Sequence, residues 1–225
     1  DITFKAKKGE TVAIIGSTGS GKSTLINLIP RYYDVTKGSV KVDGVDVRDM
    51  TQKELRDKLG YVPQKGVLFS GTIDSNIRYG KPEITDAQVK EAAEVAQATE
   101  FIDTKPEKYE SPVSQGGTNV SGGQKQRLSI ARAIAKDPEI FIFDDSFSAL
   151  DFKTDSQLRK ALKEYTKDAT TVIVAQRIST ILGADQIIVL DDGHMAGIGT
   201  HKELMANCEV YQQIARSQLS EEELA

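Results

Sequence analysis

The sequence predicts an α/β domain with a mainly parallel sheet, and the pattern of its apolar runs carries that reading. Short β-rich runs recur at TVAII (11–15), GYV (60–62), IFIF (140–143), TVIVA (171–175) and QIIVL (186–190). Helix-like stretches separate most of them. Strands read as unbroken apolar runs when helices cover both faces of a parallel sheet, so the alternation argues for that architecture. At 225 residues the chain is long enough for one sizeable core with appendages.

Two stretches depart from the alternation. GSVKVDGVDV (38–47) and IIVLDDGHMAGIG (187–199) each contain Asp-Gly, the dipeptide that tolerates the positive φ angles of a tight hairpin. Antiparallel ribbons are therefore expected to flank the core. From about residue 72 to 136 no strong strand pattern appears, while TDAQVKEAAEVA starts with capping-box spacing, Thr85 to Gln88. That segment is expected to be a helical subdomain inserted in the core, all within a single domain spanning 1–225. Thr200 and Glu203 form a second capping box with a structural role.

Composition excludes several function classes. Lys and Arg number 29 against 33 Asp and Glu, a net charge of -4, and no dense basic stripe occurs. The footprint of a protein that tracks a phosphate backbone is missing, so no nucleic-acid partner is expected. Cys208 is the only cysteine, which rules out an internal disulfide, suits a reducing compartment and leaves an inert thiol. His194 and His201 lack a second ligand nearby in the sequence and are read as non-metal residues. No apolar run approaches the roughly 18 residues of a membrane span. The chain opens at DITFKAKKGE, already strand-like and without methionine, which suggests a piece of a larger protein.

Directly after the first strong strand comes GSTGSGKST, made of Gly16, Ser17, Thr18, Gly19, Ser20, Gly21, Lys22, Ser23 and Thr24. It matches G-x-x-x-x-G-K-[ST], in which glycines let successive backbone N–H groups point at phosphate oxygens. Lys22 is placed to reach the β and γ phosphates of a nucleotide, the Ser23 hydroxyl to ligand Mg²⁺, and the following helix to aim its positive end at the same anion. Asp144, at the end of the IFIF strand, is the matching acidic group that orients the metal shell. The adjacent Asp145 is placed to face the water that attacks the γ phosphate.

A second glycine-rich loop, SQGGTNVSGGQKQR (114–127), also leads into a helix-like segment, and Ser121, Gly122, Gly123 and Gln124 offer a hydroxyl and bare amides at its start. VSGGQ is similar to the LSGGQ signature of ATP-binding cassette (ABC) ATPases, and the resemblance covers essentially the whole chain. Gln64 in YVPQKGVLFSGTIDSNIRYG resembles the family's Q-loop glutamine, which contacts Mg²⁺ and relays nucleotide state. SALD, with Asp151, resembles the D-loop, and VAQRIST stands in the place of the switch loop. LFSGTIDSNIRYG and RYYDVTKGSV look most like ABC exporters.

The resemblance implies an ABC ATPase fold on a P-loop core, with ATP and Mg²⁺ as cofactors. It also implies a head-to-tail pair in which each ATP lies between the glycine-lysine loop of one chain and the signature loop of the other. Transmembrane domains outside this chain would convert that cycle into transport, at the cytoplasmic face of the cell membrane. Gln115 stands where such exporters often carry glutamate in a loop touching the membrane domain. The aromatic residue that stacks on adenine in this family normally precedes the first strand here and is not in this chain.

Two positions depart from the family pattern. The residue after the metal aspartate is normally glutamate, and the switch loop normally carries histidine; here they are Asp145 and Gln176. Aspartate retracts its carboxylate by roughly 1 Å, an error that can cost ~10²-fold in a positioned reaction, or about 2.7 kcal/mol. Gln176 can touch a γ phosphate but cannot carry a charge or a proton as histidine does. Asp145 and Gln176 are thus expected to form a slow catalytic pair beside intact binding loops. An intact signature loop then makes sense as the completion of an active site on a different chain that carries the glutamate and histidine. Two other readings stand beside this one: a non-hydrolysing regulatory partner, or a soluble ABC ATPase.

Overall fold

The five apolar runs become neighbours in one sheet of the computed structural model, which describes residues 1–220. Along the chain come β1 (Thr11–Gly16), α1 (Lys22–Ile26), β2 (Lys41–Val42), β3 (Val45–Asp46), α2 (Gln52–Asp57) and β4 (Leu59–Val62). Next are β5 (Gly71–Thr72), α3 (Ile73–Ile77), α4 (Asp86–Val95), α5 (Thr99–Asp103), β6 (Pro112–Val113) and α6 (Gly122–Ala135). The last part runs through β7 (Ile140–Asp144), α7 (Phe152–Tyr165), β8 (Thr170–Val174), α8 (Ile178–Ile181), β9 (Gln186–Asp191), β10 (His194–Gly199), α9 (His201–Asn207) and α10 (Glu209–Gln218).

The main sheet has six strands in the order β10-β9-β1-β8-β7-β4. Every pair is parallel except β9 with β10. Period-two alternation sends successive side chains to opposite layers. On β1, Val12 and Ile14 join Ile26, Leu55 and Val47 on one face, while Ala13 and Ile15 join Ile178, Leu204 and Tyr211 on the other. On β7, Ile142 enters the first of these layers, and Phe141 and Phe143 pack under the helices α3 to α7. Both faces are covered, which is why the strands read as continuous apolar runs.

The turns follow from their residues. Asp43-Gly44 and Asp192-Gly193 take φ values of 52, 80, 45 and 75°, the positive pairs that a tight hairpin demands. The first joins β2 to β3 in a separate ribbon; the second joins β9 to β10, so that ribbon is the antiparallel margin of the main sheet. Both capping boxes form, with Thr85 accepting from the Gln88 N–H and Thr200 from the Glu203 N–H. One pairing was not legible: β5 and β6 meet within the stretch that shows no strand pattern, because two residues per strand are too few to leave an alternation.

Parallel pairing fixes the location of the chemistry. The carboxyl ends of β1, β4, β7 and β8 all open on one margin of the sheet, and the register sets Ile14, Val174 and Asp144 in one row. In open α/β sheets ligands bind outside such ends. The segments at and just beyond these strand ends carry residues 16–24, 64, 145 and 176.

Candidate functional site

The loop after β1 is shaped by its glycines. Gly19 and Gly21 sit at φ 82 and 98°, where a side chain is strained, and a Cβ on Gly19 would meet nothing within 4 Å, so the space above it is open. Gly16 is glycine for another reason: a Cβ there would lie 2.2 Å from the Leu190 carbonyl oxygen on β9. Lys22 folds over the loop and its Nζ donates to the carbonyls of Gly16 and Ser17, both at 2.8 Å. Ser20 is buried, whereas Ser17, Thr18, Ser23 and Thr24 are exposed.

Ser23 Oγ donates to Asp144 Oδ1 at 3.0 Å, joining the glycine loop to the end of β7. Asp144 and Asp145 are each 7% exposed. Burial pushes the Asp144 carboxyl above its usual range, opposed by the Ser23 hydroxyl. Burial also raises Asp145, opposed by the Gln64 amide, while the neighbouring Asp144 charge pushes it further up. Burial lowers the Lys22 amine, and the two carboxylates pull it back. One amine thus faces two half-desolvated carboxylates, a charge set short of cations. The hard oxygens of Ser23 and Asp144 fit Mg²⁺, which takes few protein ligands and shares its shell with phosphate. Among the described residues no three His, Cys, Asp or Glu side chains form a metal cluster, and His194 and His201 instead meet the Asp192 carbonyl and the Tyr211 hydroxyl.

Asp145 occupies the left-handed region at φ 48°, and its N–H continues the sheet by donating to the Val174 carbonyl at 2.9 Å. Left-handed backbone in a non-glycine residue persists only where surroundings hold it. Its Oδ2 accepts from Gln64 Nε2 at 3.0 Å and from Gln176 Nε2 at 2.8 Å. Gln64 and Gln176 therefore converge on one carboxylate oxygen.

The second loop is separate. Ser121 is the N-cap of α6, accepting from the Gln124 N–H at 3.2 Å, while Gln124 Oε1 accepts from the Ser121 N–H at 3.2 Å. Ser121 and Gly122 are exposed, and a Cβ on Gly123 would lie 3.5 Å from the Ala149 carbonyl oxygen of the SALD segment. Asp151 caps α7 through the Thr154 N–H at 3.0 Å and the Thr154 hydroxyl at 2.6 Å. Among the described residues no hydrogen bond joins residues 16–24 to residues 121–124. Gln115 lies exposed at the start of a single 3₁₀ turn, Gln115–Gly117.

A glycine-lysine loop at the end of one buried parallel strand, bonded to an aspartate at the end of another, defines a P-loop nucleotide-binding domain. Comparison with known proteins narrows the class. The family model described as ABC transporter matches residues 1–148. An uncharacterized ABC transporter ATP-binding protein of Mycobacterium tuberculosis (strain ATCC 25618 / H37Rv) is 50% identical over 221 residues, covering 97% of this chain and 38% of the relative. A putative multidrug export ATP-binding/permease protein of Staphylococcus aureus (strain NCTC 8325 / PS 47) is 48% identical over 214 residues, 95% of this chain and 37% of the relative. A solved bacterial Atm1-family ABC exporter with ATP bound superposes with a TM-score of 0.91 at 40% identity, covering 95% of this chain and 38% of that one. The chain belongs to the ABC transporter family and carries the fold of its ATP-binding domain. It spans 37 to 38% of the length of these relatives.

One residue of the site escaped the sequence reading. Gln126, two positions beyond the signature glutamine and 1% exposed, donates through Nε2 to the Pro63 carbonyl at 3.1 Å and accepts from the Gly66 N–H at 2.9 Å. It staples α6 to both sides of Gln64. The only sequence signal was a polar residue on the buried face of a helix. Gln126→Leu strands two backbone groups, each worth about 1–3 kcal/mol when left unpaired. Urea unfolding is expected to show that loss, and hydrogen exchange to show faster opening at Gly66; unchanged protection of Gly66 would contradict the staple.

Proposed function

We propose that this chain is the ATP-binding and ATP-hydrolysing domain of an ABC exporter, that it closes head to tail on a second such domain, and that its own catalytic site is slow. The observation that carries the slow site is that the partners of Asp145 Oδ2 are two neutral amides, those of Gln64 and Gln176, which hold the carboxylate in place without a charge or a transferable proton. A general base needs a free lone pair within reach of the water it activates. Burial and the neighbouring Asp144 charge raise this carboxyl, so its shortfall is one of reach: its carboxylate is one methylene shorter than that of glutamate. Neither amide can supply the positive charge that a histidine would.

In this reading residues 16–24 bind the phosphates of ATP through backbone N–H groups, and Lys22 exchanges its own loop carbonyls for β and γ phosphate oxygens. Ser23, Asp144 and Gln64 hold Mg²⁺, which neutralises charge on the phosphates when bound. Asp145 and Gln176 orient the attacking water weakly. Ser121, Gly122, Gly123 and Gln124 cap a nucleotide held by the partner chain, and Asp151 lies in the loop between the two sites. Exposure of Ser121 and Gly122 supports a role toward another molecule. The partner is a different chain that brings glutamate and histidine, so that this signature loop completes the faster site.

Transmembrane domains outside this chain would place it at the cytoplasmic face of the cell membrane; among the described residues no helix is long and apolar enough to cross a bilayer. Phe69 and Tyr79, both exposed, stack with centroids 4.1 Å apart under the Arg132 guanidinium, an aromatic surface that supports contact with another protein domain. The same engagement of Asp145 favours a second reading, a regulatory domain that binds ATP and does not hydrolyse it.

Turnover separates the two. The double variant Asp145→Glu with Gln176→His is expected to raise steady-state ATP hydrolysis by up to ~10²-fold, and absence of any gain ends the impaired-site reading. The full-length protein purified without another ABC chain is expected to bind MgATP and hydrolyse it at a rate well below that of the double variant. Robust hydrolysis by that preparation removes the need for a different partner.

A further inference from the structure

Gln218 closes α10, 42 residues along the chain from Gln176, yet its amide grips the loop that carries Gln176. Nε2 donates to the Gln176 carbonyl at 2.8 Å, and Oε1 accepts from the Ile178 N–H at 2.8 Å. Both groups are ones the local chain leaves open. The Gln176 carbonyl lies beyond the last residue of β8, and the Ile178 N–H belongs to the first turn of α8, whose N-cap residue Arg177 makes no side-chain cap bond. A primary amide can satisfy one donor and one acceptor at once, as a paired strand would.

The far side of the same loop is also held. Arg159 on α7 donates through Nη1 to the Ser179 carbonyl at 3.0 Å and pairs with the buried Asp155 carboxylate at 3.1 Å. α10 is itself anchored, because Tyr211 and Ala215 are fully buried against the sheet and the Tyr211 hydroxyl meets His201 Nδ1 at 2.8 Å. A side chain on a rigid helix therefore fixes the backbone on both sides of Arg177. From that backbone Gln176 reaches Asp145.

We propose that Gln218 is a positioning residue for the reaction, holding residues 176–178 so that the Gln176 amide meets the Asp145 carboxylate and the γ-phosphate side of the site. The proposal rests on the reading of Asp145 and Gln176 as the catalytic pair. Gln218 is itself exposed, so replacing it loosens the loop and leaves the core intact.

The test uses the full-length protein. Without nucleotide, Gln218→Ala is expected to speed hydrogen exchange of the Ile178 amide about tenfold, with β7 and β8 amides unchanged. Gln218→Glu, which can accept from Ile178 but cannot donate to the Gln176 carbonyl, is expected to lie between alanine and the parent. Unchanged exchange at Ile178 overturns the clamp. In steady-state hydrolysis, Gln218→Ala is expected to lower kcat roughly fivefold at constant KM for ATP, with no further fall when added to Gln176→Ala. An unchanged kcat, or a second fall of equal size in the Gln176→Ala background, overturns the positioning role. If the parent protein shows no turnover at all, the catalytic reading fails, and the exchange result alone decides whether Gln218 holds the loop.

Discussion

The bond from Ser23 to Asp144 joins two parts of the chain 121 residues apart, and the remaining chemistry is arranged around it. It exists because β1, β8 and β7 run parallel in register, so the loop leaving β1 crosses the end of β8 and arrives over the last residue of β7. An antiparallel neighbour would have sent the carboxylate to the opposite margin. The same geometry delivers Gln64 from the end of β4 and Gln176 from the end of β8. The meeting of the glycine-lysine loop with the carboxylate at the end of β7 is thus a consequence of strand direction.

The electrostatics around that bond are poised and unbalanced. Two adjacent carboxylates are held where water is scarce, and each is harder to ionise than a solvated aspartate because of burial. The single amine nearby is harder to protonate for the same reason and spends its hydrogens on its own loop. A divalent cation with an anionic polyphosphate supplies what this set lacks. Asp145 differs from Asp144 in what surrounds it: Asp144 is touched by a hydroxyl, Asp145 by two amides. Adjacent residues of one type acquire separate roles from their contacts.

The fold was legible wherever a short-range rule decides structure. Strands buried on both faces showed as unbroken apolar runs, Asp-Gly marked both hairpins, and Thr85 and Thr200 announced their helices. The glycine-lysine loop was readable because its motif constrains residue type and spacing together. Contacts made across the fold left no such trace. Nothing in the sequence said that Gly16 is small because the Leu190 carbonyl presses on it, that Gln126 bridges to Pro63 and Gly66, or that Gln218 returns to Gln176. Polar residues whose partners are dozens of positions away look like ordinary surface until the chain is folded. The family resemblance assigned roles to Asp145 and Gln176, but only the folded chain brings their side chains into contact with each other.

The central claim is that Ser23 and Asp144 form the metal half of a nucleotide site. Calorimetric titration of the full-length protein with ATP, once with Mg²⁺ and once with a chelator, tests it most directly when repeated on Asp144→Asn, which keeps the size of the side chain and its ability to accept from Ser23. The parent is expected to bind MgATP at least about tenfold tighter than metal-free ATP, and the variant to bind both alike, since a carboxylate ligand to the metal has been replaced by a neutral amide. A variant that retains the full advantage of magnesium would contradict the assignment.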